Sequence, residues 1–278
     1  MRIGRLTDGT RPFWGVLQPD EASVRPLAGD IADWGPRITA GGPDAADYDG
    51  AVVRLDGLRL RAPAQPDAKV VCLGATYAKH VAGLGREMPS QPAGFWKPYS
   101  SLIAADDEIR YPSITKGLDY EVELVVIIGA AQVDGADPLS SVLGYTVGND
   151  ISLRDLQFAG SVTGMDMFSA KSADDSTPLG PWIVTRDEFG DVSPDLLLTL
   201  TVNGEKRQSE RTSAMSWGVD FLVRWADERT SLHAGDVVYT GTPDGVAYED
   251  GRYLEPGDVV ETTIERLGTQ RNTVGPRP

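Results

Sequence analysis

The residues best suited to chemistry lie in Asp119-Tyr120-Glu121-Val122-Glu123-Leu124. On an extended chain, side chains two apart share a face, so Glu121 and Glu123 stand side by side. The adjoining Leu124 to Ile128 run is apolar on both faces, the pattern of a strand entering the interior. Two like charges taken into a core are costly unless a cation joins them. Oxygen ligands with no Cys or His among them favour Mg²⁺, Mn²⁺ or Ca²⁺ over Zn²⁺. Spacing alone leaves a second possibility open, an edge strand with both glutamates facing water.

A third carboxylate, Asp150, ends an apolar strand in Gly148-Asn149-Asp150-Ile151-Ser152-Leu153-Arg154-Asp155-Leu156-Gln157. If a helical turn follows, Arg154 and Gln157 sit one and two turns along from Asp150 on roughly the same side. The segment then offers a metal ligand, an anion-binding guanidinium and an amide, or only a local Asp150–Arg154 salt bridge. Lys97, in Phe95-Trp96-Lys97-Pro98, and Lys171, in Ala170-Lys171-Ser172, sit among apolar or small residues. An ammonium there is paired, functional or simply exposed. Of the 2 histidines, His80 follows a buried strand and His233 occupies a turn. His80 is therefore the candidate general acid or base. Gly241-Thr242-Pro243-Asp244-Gly245 could approach an anion closely, yet it matches neither the phosphate-binding nor the dinucleotide-binding glycine pattern, and no Gly-x-Ser-x-Gly elbow occurs.

Strands must position these groups. Tyr120 to Ile128, Gly144 to Ile151, Lys69 to Leu73, Trp182 to Thr185, Leu196 to Val202, Val237 to Thr240 and Val259 to Ile264 read as strands, and Ala75 to Gly85 as a loop with a helical turn. One helix, from Met215 to Asp227, should bury Trp217, Phe221, Leu222 and Trp225 along one stripe. Phe13 to Leu17 and Ala51 to Leu60 suggest a small β-rich lobe over residues 1–62. Pro63 and Pro66 mark a linker into a main domain over 67–278. The fold class is thus a mixed, β-rich α+β. With 26 basic against 41 acidic side chains the net charge is −15, the wrong sign for nucleic acid or an anionic membrane surface. No run reaches the roughly 18–20 apolar residues of a membrane span. A single cysteine, Cys72, and a start without a secretory signal pattern lead to the expectation of a cytoplasmic setting.

Taken together, LGATYAKH, FWKP, DYEVELVVIIG, GYTVGNDISLRDLQ, AKS, PLGPWIVT, VNGEKRQ, LHAGDVVYTGTPDGV and LEPGDVVE resemble, in order, the motifs of the fumarylacetoacetate hydrolase family. The resemblance runs from about Val70 to Val274, and the first lobe resembles, more weakly, the small N-terminal region of many bacterial members. It implies a β-roll main domain, usually a homodimer. It implies that Glu121, Glu123 and Asp150 hold Mg²⁺ or Mn²⁺, that Arg154, Gln157, Thr242 and Lys97 contact substrate, that Lys171 stabilises an enolate and that His80 handles a proton or the attacking water.

Two departures bear on the reaction. Related hydrolases often carry an acid three residues after the histidine where this chain has Gly83, and Thr76 replaces a common Asn. Glu87, Glu249 and Glu255 are candidate replacements, with the Gly83–Gly85 segment able to fold Glu87 inward. Ser172 to Ser176 replaces an aromatic-containing stretch, which suggests a more polar pocket wall. The leading expectation is a divalent-metal-dependent hydrolase that cleaves a carbon–carbon bond in a small 1,3-dioxo acid of the acylpyruvate type. A 2-hydroxy-diene-dioate isomerase or an oxaloacetate decarboxylase or tautomerase is the alternative within the family. Outside it stands a non-catalytic metal-binding homologue, which would need none of His80, Lys171 and Arg154.

Overall fold

The computed structural model describes residues 1–160, 162 and 164–278. Strands dominate, and most form one twelve-stranded sheet. Its centre is Val122–Ile128, hydrogen-bonded to Val142–Asn149 on one side and to Val237–Tyr239 on the other, both antiparallel. Every residue of Val122–Ile128 is buried, as expected for a strand apolar on both faces. Val237–Tyr239 runs parallel to Val70–Gly74, which in turn pairs with Ala93–Lys97. On the far side Val142–Asn149 pairs with Thr177–Thr185, and that strand meets Arg2–Thr7. The N-terminal strands Arg2–Thr7, Pro12–Leu17 and Ser23–Leu27 therefore continue the same sheet. A separate four-stranded sheet has the order Glu205–Arg211, Leu197–Val202, Val259–Ile264, Gly268–Thr273.

Apolar residues on the two faces of Val122–Ile128 feed two cores. Leu124, Val126 and Ile128 pack with the four-stranded sheet and the helix Val219–Asp227, while Val125 and Ile127 pack with the N-terminal strands and the helix Ile31–Gly41. Residues Ala62 to Gln65 lie buried between the two parts of the chain, and the Gln65 side chain accepts the Ile31 amide at 3.3 Å.

Three expectations change. The span read as one strand over Ala51 to Leu60 contains only Val53–Arg54 and, past a turn, Arg59–Arg61, because Asp56 and Gly57 break it. The helix expected from Met215 starts at Val219 behind a Gly218 N-cap. It buries Val219, Leu222, Val223 and Ala226, so its seam is aliphatic. Phe221 is exposed, stacked on the half-buried Trp217 at 6.0 Å, and Trp225 lies under Arg229 at 3.7 Å.

Candidate active site

The register of the central strands brings the carboxylates together. Val122 is opposite Asn149 and Glu123 opposite Gly148, and the Asp150 amide donates to the Glu121 carbonyl at 2.9 Å. Glu121, Glu123 and Asp150 are all buried, and each offers an oxygen within 4.8 Å of the others. The strand is internal to the sheet, which removes the reading of two water-facing glutamates. Gly241 closes this floor: its amide donates to Glu123 Oε2 at 2.7 Å. Its φ is +94°, and a Cβ there would lie 2.1 Å from Thr76 Oγ1, so the turn requires glycine. Thr76 itself donates to the Thr240 carbonyl at 2.8 Å.

Cations surround the carboxylates. Lys171, at the end of the short helix Met167–Lys171, donates to Glu121 Oε2 at 2.8 Å and Asp150 Oδ2 at 2.6 Å. Lys97 Nζ is 2.6 Å from Asp150 Oδ1 and donates to the Ile151 carbonyl at 3.0 Å. Arg154 donates to Asp119 Oδ2 at 2.9 Å, to Gln157 Oε1 at 2.8 Å and to Glu121 Oε1. All of these side chains are buried, so both lysines are paired rather than exposed, and Arg154 bonds Glu121 and Asp119 rather than forming a local bridge to Asp150. Burial works to raise Glu121, but Lys171 and Arg154 outweigh it and hold its pKa far below the carboxylate range. Burial would also strip the proton from Lys171, yet Asp150 and Glu121 overcome it and raise the lysine. Among the described residues, no ammonium or guanidinium is bonded to Glu123. Burial first, then Asp150 and Glu121, push its pKa well upward.

The cluster floors a cleft of about 290 Å³, whose lining includes His80, Arg86, Glu87, Phe95, Phe158, Met167 and Thr242. His80 is buried in the helix Ala78–Gly83. Among the described residues its Nδ1 has no hydrogen-bond partner, and the nearest carboxylate is Glu249 Oε1 at 3.7 Å. A Cβ on Gly83 would fall 2.8 Å from the Glu249 carboxyl carbon. Glu249 therefore fills the space that Gly83 leaves open, a role the sequence left undecided among three residues. Glu87 lines the cleft, whereas Glu255 is exposed and bonded to Arg277 at 2.8 Å. His233 is an exposed turn residue, 3.3 Å from Lys69 Nζ. The Thr242 hydroxyl lines the cleft but is spent on the Val122 carbonyl at 2.9 Å and on Gln208 at 3.0 Å. Asp119 opens the DYEVEL motif without a signal of its own in the sequence, and it is among the most bonded side chains of the site.

The family model for the fumarylacetoacetate (FAA) hydrolase C-terminal region matches residues 69–275, and a second model, Rv2993c-like N-terminal, matches residues 1–63. The chain belongs to the fumarylacetoacetate hydrolase family. It is 38% identical to a 2,4-didehydro-3-deoxy-L-rhamnonate hydrolase from Sphingomonas sp. over 78% of this chain and 76% of that one. An oxaloacetate tautomerase from Homo sapiens is 36% identical over 77% of this chain and 68% of its own length. Among solved structures, a 5-carboxymethyl-2-hydroxymuconate delta-isomerase from Mycobacterium smegmatis superposes with a TM-score of 0.80 at 33% identity, over 99% of this chain and all of that one. A fumarylpyruvate hydrolase from Pseudomonas aeruginosa, solved with Mn²⁺ and pyruvate, gives 0.69 at 30% identity over 78% and 92%.

Within this family setting the carboxylate cluster passes the test for a hard divalent ion. Three buried oxygen donors converge, and Glu123 is a buried carboxylate with no cationic partner bonded to it. The sheet-dominated α+β fold is likewise that of the family's solved members.

Proposed function

We propose that this protein is a divalent-metal-dependent hydrolase that cleaves the carbon–carbon bond of a small 1,3-dioxo acid of the acylpyruvate type. The observation that carries the reading is Glu249 beside His80 Nδ1, which supplies from the C-terminal part of the chain the acid missing at Gly83. Glu121, Glu123 and Asp150 would hold Mg²⁺ or Mn²⁺. When bound, such an ion supplies Lewis acidity toward the substrate's 2-oxo and carboxylate oxygens.

His80, oriented through Nδ1 by Glu249, takes a proton from water through Nε2 as the water oxygen bonds to the distal carbonyl carbon. The bond between that carbon and the central methylene then breaks, and its electron pair becomes the enolate of the 2-oxo acid. Lys171 stands where this charge develops and stabilises it, with Lys97 behind it. The enolate carbon takes back the proton held by His80, so one water and one dioxo acid become a carboxylic acid and a 2-oxo acid. Gln157 and the rim of Thr242 bound the space available to substrate. Arg154, held by Asp119 and Glu121, presents a fixed positive wall.

A second reading, enol–keto conversion of oxaloacetate, is favoured by one detail. At 3.7 Å the His80–Glu249 pair is wider than a hydrogen bond, and proton relay without water activation does not require it closed. Acylpyruvate cleavage in wild type and Glu249→Gln decides between them. Hydrolysis predicts efficient wild-type cleavage and a kcat lower by about tenfold or more in the variant, within the range of acid–base contributions. Oxaloacetate turnover without acylpyruvate cleavage would transfer the assignment to the second reading. We further propose a homodimer, supported by the exposed Trp96 and Phe168 on the elements that carry Lys97 and Lys171. Sedimentation at twice the chain mass tests it.

A further inference from the structure

Asp119 is a completely buried carboxylate that lies in neither the ion cluster nor the cleft lining. It belongs to the two-residue strand Leu118–Asp119, paired with Ser152–Leu153 immediately before Arg154. Its Oδ2 accepts from Arg154 Nε at 2.9 Å and from the Tyr248 amide at 3.1 Å. Its Oδ1 accepts from the Ala247 amide at 2.7 Å and from its neighbour Tyr120 at 2.8 Å. Ala247–Asp250 is the single helical turn that carries Glu249. One carboxylate thus bonds both the guanidinium that faces Glu121 and the turn that faces His80, across 128 residues of sequence.

The turn has other restraints, and they point the same way. Beyond it, the Leu254 amide donates to the Leu118 carbonyl at 2.8 Å, so the chain leaving the turn is pinned to the same short strand. The Gly245 amide donates to Glu249 Oε2 at 3.1 Å, which fixes the side chain once the turn is fixed. The Tyr248 ring lies 5.9 Å from the Arg154 guanidinium and 5.2 Å from the Phe158 ring. A four-residue turn is too short to hold its own position, because most of its amides lack partners within it. Asp119 supplies two of those partners. Neutral acceptors could satisfy the two amides, but a carboxylate also holds the Arg154 guanidinium, and only a group that does both keeps the two sides of the site in register.

We propose that Asp119 is a positioning residue that couples Arg154 to Glu249, and through Glu249 sets the orientation of His80. The inference rests on the hydrolase reading above, since it acts through Glu249. Two variants separate its arms. Asp119→Asn puts an NH₂ or a single carbonyl where two acceptors stood, and so disturbs both the turn and Arg154. Ala247→Pro removes only one amide donor and keeps every charge. Proline suits this first position of a helical turn, and Val246 before it is already extended at φ −67°, ψ 155°.

The test is a double-mutant cycle on acylpyruvate cleavage with saturating Mg²⁺, reading kcat and KM separately, with Mg²⁺ affinity from calorimetry as the control. Ala247→Pro is expected to lower kcat about tenfold with KM and Mg²⁺ affinity within threefold of wild type. Asp119→Asn should lower kcat and also raise KM, because Arg154 loses one of its two carboxylate partners. Adding Glu249→Gln to either variant should cost less than twofold further, since the path to His80 is already broken. Losses that multiply instead, or an Ala247→Pro protein with wild-type kcat, overturn the coupling. If Asp119→Asn does not fold, Ala247→Pro alone carries the cycle. If Glu249→Gln alone keeps wild-type cleavage, both the coupling and the His80–Glu249 pair fail. If wild type cleaves no acylpyruvate, the hydrolase reading fails by itself, and the coupling with it.

Discussion

Glu123 and Lys171 are given opposite parts of the proposed chemistry. Glu123 is the cluster's carboxylate without a bonded cation, so Glu123→Ala should abolish Mg²⁺ or Mn²⁺ binding together with turnover. Unchanged affinity in calorimetry would remove the basis for the ion site. Lys171→Met should leave ion binding largely intact and lower kcat by about 100-fold or more, the scale of losing one donor to a developing charge. A kcat near wild type would refute the enolate role. Glu123 also gives the metal-free protein a pH signature. Burial and its acidic neighbours raise its pKa above the unfolded value, so its contribution to stability is full below the ordinary carboxylate range and is lost as pH rises through the raised value. Melting temperatures of the metal-free protein should fall across that window, while the Mg²⁺-loaded protein, whose ligand is already ionised, should not show the fall. Mg²⁺ uptake within the window should release a proton, visible as a buffer-dependent binding enthalpy.

At the scale of elements, two glycines set what the site tolerates. Gly241→Ala should destabilise the protein by about 1–3 kcal/mol and weaken ion binding, because its positive φ and the 2.1 Å approach to Thr76 Oγ1 force the turn away from Glu123. Gly83→Glu, which sequence comparison alone would treat as restoring a missing acid, should instead lower cleavage, since Glu249 already fills that space. A rise in cleavage would show that Glu249 does not serve His80. The strands that hold the site were legible because their signal is hydrophobic: Val259–Ile264 is found within its expected bounds, and Val122–Ile128 and Val142–Asn149 within two residues. Strands that escaped notice, such as Glu205–Arg211 and Gly268–Thr273, are polar along most of their length, and their pairing is set by neighbours rather than by pattern. The helix Ile31–Gly41 escaped for another reason. It contains Gly35 and Pro36, which argue against a helix, while its capping box at Asp30 and Asp33 and the buried stripe Ile31, Trp34, Ile38 argue for one.

Across the whole molecule, the convergence of the three carboxylates was readable because they lie in two short motifs brought into register by one antiparallel pair. Glu249 and Asp119 were not, because their partners are 169 and 128 residues away and only the folded chain brings them together. In a chain of net charge −15, Lys171 and Arg154 line the cleft and Lys97 backs Asp150 from outside the lining, so each of these cations is paired with a carboxylate. The most direct test of the central claim is pyruvate release from an acylpyruvate by the purified wild-type protein, with Mg²⁺ and then with EDTA. Stoichiometric pyruvate is expected with Mg²⁺, and its loss on chelation. Robust oxaloacetate turnover with no pyruvate released from any acylpyruvate would contradict it.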